Sequence, residues 1–125
     1  MQINDMVKAA HDNAVSKGWW EEDRSFVETI ALIHSEASEA LEDFRNGYQP
    51  AKMLYTRPDS TGSVLTLDYQ ADENWKPCGI PSELADIVIR VFDACGRYGI
   101  DLEQAITEKM AFNATWPQRH GGKVL

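Results

Sequence analysis

The chain has 125 residues, 43% of them hydrophobic and 26% charged, which suits one compact globular domain spanning 1–125 and excludes a disordered chain. With 12 Lys and Arg against 20 Asp and Glu, the formal net charge of −8 repels polyanions, so no nucleic-acid polymer is expected as a partner. No apolar run approaches the roughly 20 residues of a membrane span, so no membrane partner is expected either.

Met1 to Lys8 shows no basic stretch followed by an apolar core, so no signal peptide is expected. Two cysteines, Cys78 and Cys95, are too few for a disulfide framework. Cys95 falls on an apolar helical face and reads as a buried free thiol. A reducing, cytoplasmic location fits these features.

The first helix is expected from about Asn4 to Ser16, with Ile3, Met6, Val7, Ala10 and Ala14 recurring at helical spacing before Gly18. Trp19 and Trp20 then sit in a connection. The second helix, about Ser25 to Asn46, carries Phe26, Ile30, Ile33, Ala37, Ala40, Leu41 and Phe44 on one apolar face, and Gly47 ends it. From Tyr48 to Pro81 the prolines and glycines exclude a helix. Ser63–Tyr69 alternates like a strand and can pair with Met53–Thr56, so a hairpin-like insertion is expected at about 49–76. The third helix is expected to start at Ser82 as N-cap, with Leu84, Ile87, Val88, Val91, Phe92 and Cys95 as its stripe, and to close at Gly96 to Gly99. The fourth opens at Asp101 with Gln104 three residues on and stops before Pro117. Short connections between amphipathic helices predict an all-α, antiparallel four-helix bundle carrying the insertion between its second and third helices.

Chemistry concentrates on the helices. Glu36 borders the apolar arc of the second helix, Glu39 follows three residues later, and Asp43 projects close to Glu36. Glu83 and Asp86 repeat the spacing on the third helix. Four carboxylates converging from two helices suit a hard divalent ion, Mg2+ or Mn2+; taken singly, each pair reads first as a solvated helix face, and it is the two pairs together that raise the metal reading level with it. A di-iron site of the helical-bundle kind needs Glu-x-x-His pairs, and none occurs. On the fourth helix Lys109 and Asn113 fall in the middle of the side defined by Leu102, Ala105, Ile106 and Trp116. They suit contacts to a phosphate and to a phosphate or sugar oxygen, or else a snorkelling lysine and a core amide. Trp20 suits stacking on a base or a staple at a helix entry. Arg119, His120 and Lys123 suit closure over a triphosphate or a frayed basic terminus. His11 and His34 read as packing or surface residues.

Glu36-x-x-Glu39, Glu83-x-x-Asp86 and Lys109-x-x-x-Asn113 on successive helices resemble the MazG-like, all-α nucleoside triphosphate pyrophosphohydrolases. The resemblance runs from Gly18-Trp19-Trp20 to the Arg119–Lys123 tail. It implies Mg2+-dependent hydrolysis of a nucleoside or deoxynucleoside triphosphate to monophosphate and pyrophosphate, in nucleotide-pool housecleaning, by a homodimer or homotetramer. It implies Glu36, Glu39, Glu83 and Asp86 as metal ligands, with Glu36 and Glu39 as the catalytic pair and Glu39 as the candidate base. Lys109 and Asn113 match residues that contact substrate, with Trp20 and Arg119 as further candidates. The connection between the two carboxylate pairs is longer than the family's usual one. The alternative on the same residues is a non-catalytic nucleotide- or metal-binding helical module.

Overall fold

The computed structural model describes residues 2–117. Arg119, His120 and Lys123 lie outside the described residues. In chain order the elements are α1 (Ile3–Ser16), α2 (Phe26–Arg45), β1 (Leu54–Pro58), β2 (Val64–Leu67), β3 (Lys76–Cys78), α3 (Ile80–Tyr98) and α4 (Leu102–Asn113). The all-α four-helix bundle expected from the sequence is overturned by a three-stranded antiparallel sheet of order β2-β1-β3, which makes the chain a mixed arrangement of helices and sheet. No described helix is long and apolar enough to cross a membrane.

Two compact units can be distinguished, residues 22–91 and the remainder, with α3 running from one into the other. In residues 22–91, Ser25 caps α2 by accepting from the Glu28 amide at 3.1 Å. At its other end Gly47, with φ of 92°, lets the amides of Gly47 and Tyr48 bond back to Phe44 and Asp43, closing the helix. In the sheet, β1 is central: Tyr55 faces Leu67 on one side and Pro77 on the other. Pro77 is tolerated because β3 is an edge strand. The β1–β2 turn is held by Asp59, whose Oδ1 accepts from the Thr61 amide, the Thr61 hydroxyl and the Ser63 amide at 2.7–3.0 Å.

β3 runs into α3 through Gly79 alone, with φ of 88°. A Cβ there would stand 3.1 Å from the Lys52 carbonyl oxygen, so both the backbone conformation and the space call for glycine. The helix therefore starts at Ile80, ahead of the expected Ser82, and Pro81 occupies its first turn, where a missing N–H costs nothing. Ser82 is not the cap; its hydroxyl donates to the Pro77 carbonyl at 3.3 Å. Trp75 and Ile80 are buried on either side of this joint.

In the other unit, Val7, Phe92, Ala94 and Cys95 form the buried apolar set. Gly96 lies inside α3, which ends at Tyr98 just before Gly99, with φ of 66°, so the helix closes within the expected Gly96 to Gly99 region. A Cβ at Gly96 would come within 2.5 Å of His11 Cβ, so α1 and α3 cross at a point with no room for a methyl group. Asn4 ties α1 to the start of α4, donating to Asp101 Oδ1 at 2.9 Å and accepting from the Glu103 amide at 3.2 Å.

Candidate metal centre

A helix wheel shows which residues share a face, but not which face the rest of the chain covers. On α2 the buried residues are Thr29 and Glu36, seven apart and both polar, while Phe26, Ile30, Leu41 and Phe44 are 37–59% exposed. Glu36, expected at the border of a buried stripe, is thus itself on the covered face at 6% exposure. Such a carboxylate needs a partner. It has one: Arg90, two turns along α3 from Glu83, donates from Nε to Glu36 Oε1 at 2.6 Å.

Glu36, Glu39 and Glu83 each bring a carboxylate oxygen to a common point, all within 4.8 Å of one another. Asp86 does not join that group. All four carboxylates lie within residues 22–91, Glu36 and Glu39 on α2 and Glu83 and Asp86 on α3. The Gly79 joint sets where Glu83 enters, because the Glu83 amide makes the first bond of the helix, to the Gly79 carbonyl at 3.1 Å.

The electrostatics are those of acids crowded together. Glu83 is pushed from an ordinary 4.5 to about 7, first by burial, then by a hydrogen bond shared with Glu39 and by the charges of Glu39, Asp43 and Asp86. Its Oε2 is buried and makes no hydrogen bond, and Asp43 Oδ2 is in the same condition. Asp86 is also raised, by burial and then by Glu36, against an opposing pull from Arg90. Cys78, on β3, is pushed up mainly by burial, with Asp43 and Glu83 adding to the shift, so it stays a neutral thiol.

The substrate candidates fare differently. Lys109 and Asn113 were expected to face an interior, but both are exposed, on a helix that buries no residue. Lys109 Nζ stands 5.9 Å from the Phe112 ring centroid. Trp20 is half-buried. Its Nε1 donates to Asp93 Oδ1 at 2.9 Å, and the Arg97 guanidinium covers its ring at 5.0 Å, so one stacking face is already taken. His11 Nδ1 lies 2.8 Å from the same Asp93 oxygen. Cys95 is buried, and burial raises its thiol pKa.

Arg90, the partner of Glu36, is the member of this cluster that the sequence reading missed. Its signal was its spacing, four residues after Asp86 and seven after Glu83, which puts a cation on the same face of α3 as both acids. A scan against protein-family models, a search of curated proteins and a search of solved structures each find no match to this chain.

Proposed function

We propose that the protein is a Mg2+-dependent nucleoside triphosphate pyrophosphohydrolase, with Mn2+ as an alternative ion, working in a cytoplasmic nucleotide pool. The observation that carries this reading is the set of three glutamates whose oxygens meet within 4.8 Å while Glu83 keeps a buried oxygen without a partner. The donor set fits a hard divalent ion: all are carboxylate oxygens, and their mutual repulsion is what a cation would relieve. Glu36, Glu39 and Glu83 would hold it, with Asp86 on the flank.

A bound ion would neutralise triphosphate charge and lower the pKa of the attacking water. The chain's own residues do the rest. Glu36, held by Arg90, keeps one orientation. Glu39 is exposed, whereas Glu36 is buried and Glu83 half-buried, and it accepts the proton of the attacking water. Lys109 and Asn113, exposed on α4, are assigned to the substrate's phosphates and sugar. The exposed apolar face of α2 supports self-association as a dimer or a pair of dimers.

The test is pyrophosphate release from a panel of standard and modified nucleoside and deoxynucleoside triphosphates with Mg2+, beside an EDTA control. Metal-dependent release is expected. Nucleotide binding without release would overturn the enzyme reading in favour of a binding module.

A further inference from the structure

The two outer edges of the sheet differ in what they offer a further strand. At the β1–β2 turn the Asp59 amide donates to the Ser63 carbonyl at 2.7 Å, which makes Asp59–Ser63 a hydrogen-bonded pair. Antiparallel pairs alternate, so Pro58–Val64 and Thr56–Thr66 are non-bonded, while Arg57–Leu65 and Tyr55–Leu67 exchange the bonds. Pro58, with no N–H to give, fits the position it holds. Leu65 and Leu67 therefore turn their backbone groups to β1, and Val64 and Thr66 turn theirs away from the sheet.

On the opposite edge the same alternation makes Tyr55–Pro77 a non-bonded pair, so the outward-facing residue of β3 is a proline that offers no donor. That edge is blocked by its own sequence. The β2 edge is not, because Ser63–Leu67 contains no proline and no charge, the usual guards of an open edge. Among the described residues no strand lies beyond β2, and no backbone hydrogen bond outside the ladders reaches Val64 or Thr66. The side chains of Val64 and Leu65 are exposed as well, at 66% and 47%.

We propose that the β2 edge pairs with the β2 edge of a second copy, antiparallel about a two-fold axis at Leu65, joining two three-stranded sheets into one. The strand is complementary to itself in this register. Val64 of each chain stands opposite Thr66 of the other, so every outward N–H meets an outward carbonyl. Leu65 faces Leu65 of the second copy at a non-bonded position, where facing side chains come closest. Charge favours a second copy here more than elsewhere. The chain as a whole carries −8, but within the sheet Lys52, Arg57 and Lys76 nearly offset four acids. Two of those acids, Asp68 and Asp72, already have partners, Lys52 at 3.6 Å and Arg57 at 3.9 Å. The register also sets Asp68 opposite Gly62 of the second copy, so no acid faces an acid. A four-residue strand gives a small contact, which makes the association reversible and dependent on concentration. It is a different surface from the exposed apolar face of α2, and it does not depend on the carboxylate cluster binding metal.

The experiment is sedimentation of the full chain over a wide range of concentration, comparing wild type with Thr66→Pro and Leu65→Cys. Wild-type protein is expected to show a step that doubles its mass. Thr66→Pro copies on β2 the device Pro77 provides on β3; it removes two hydrogen bonds across the axis and should weaken that step about tenfold or more. Leu65→Cys should form a disulfide between copies on mild oxidation, in a yield well above that of wild type, because the axis brings the two side chains together. A wild-type chain that keeps one mass throughout would overturn the proposal and leave the edge to a foreign extended peptide. A doubling that a folded Thr66→Pro variant retains in full would also overturn it, assigning self-association to another surface such as α2. If Thr66→Pro does not fold, Leu65→Cys decides: cross-linking no greater than that of wild type rejects the pairing.

Discussion

Two covered acids on α3, Glu83 and Asp93, receive opposite treatment. Asp93 is 8% exposed, and a single oxygen meets both Trp20 Nε1 and His11 Nδ1. Glu83 is less covered, yet it retains a buried oxygen with no donor and crowds against other acids until it holds a proton near pH 7. A buried acid that serves architecture is given donors. One whose surroundings supply mainly negative charge is destabilising by itself, and that cost is understandable where a cation completes the site.

The sharpest way to break this contrast is to neutralise each acid in turn. Glu83→Gln should lower pyrophosphate release by more than about 100-fold while leaving the melting temperature of the metal-free protein unchanged or higher. Asp93→Ala should do the reverse to the fold. Stranding two half-buried donors should cost about 2–3 kcal/mol in a denaturant titration, with Mn2+ affinity unchanged. Equal effects of the two substitutions on stability and metal binding would erase the distinction.

Gly96→Ala should follow in size. The added methyl meets His11 Cβ at 2.5 Å, and forcing α1 and α3 apart should cost about 1–3 kcal/mol, read as a lower denaturation midpoint.

The pH dependence sharpens the comparison further. Glu83 ionises near 4.5 when unfolded and near 7 when folded, so between these values the folded chain holds a proton that the unfolded chain has released. Its contribution to stability is full below about 4.5 and is lost as the pH rises through 7. Melting temperatures of metal-free protein should fall across that window, and Glu83→Gln should flatten the trend. Because a divalent ion must displace the same proton, Mn2+ affinity should rise with pH and level off above about 7.

Much of this organisation was legible in the sequence, and what was not has identifiable physical causes. Helix ends were readable where a specific residue does the capping, as at Ser25, Gly47 and Asp101, because those caps are local chemistry. The third strand was not. Lys76–Cys78 is three residues long with a proline in the middle, and it becomes a strand only by pairing with β1. The carboxylate spacing was readable because it follows from helical geometry alone. Burial was not, since a wheel fixes relative angles and the rest of the chain decides which angle is covered. That is why Glu36 lies deeper, and Lys109 and Asn113 further out, than their wheels suggested. The Arg90–Glu36 pair joins α2 to α3 across 54 positions, a separation at which local pattern carries no information.

The one-residue joint at Gly79 makes the sheet an unequal place to alter the chain's length. Between β1 and β2 the turn is exposed and self-contained, closed by bonds from Asp59 to its immediate neighbours, and Gly62 has open space around it. Extra residues grafted there would lengthen a tip and leave the ladders in register. One residue added between Cys78 and Ile80 would rotate α3 by about 100° relative to the strand that feeds it. Glu83, Asp86 and Arg90 would then turn away together. The sheet thus has a tip suited to carrying cargo, such as a peptide tag or a fluorophore, and a root where a single codon gained or lost would disperse the carboxylate cluster without touching any of its residues.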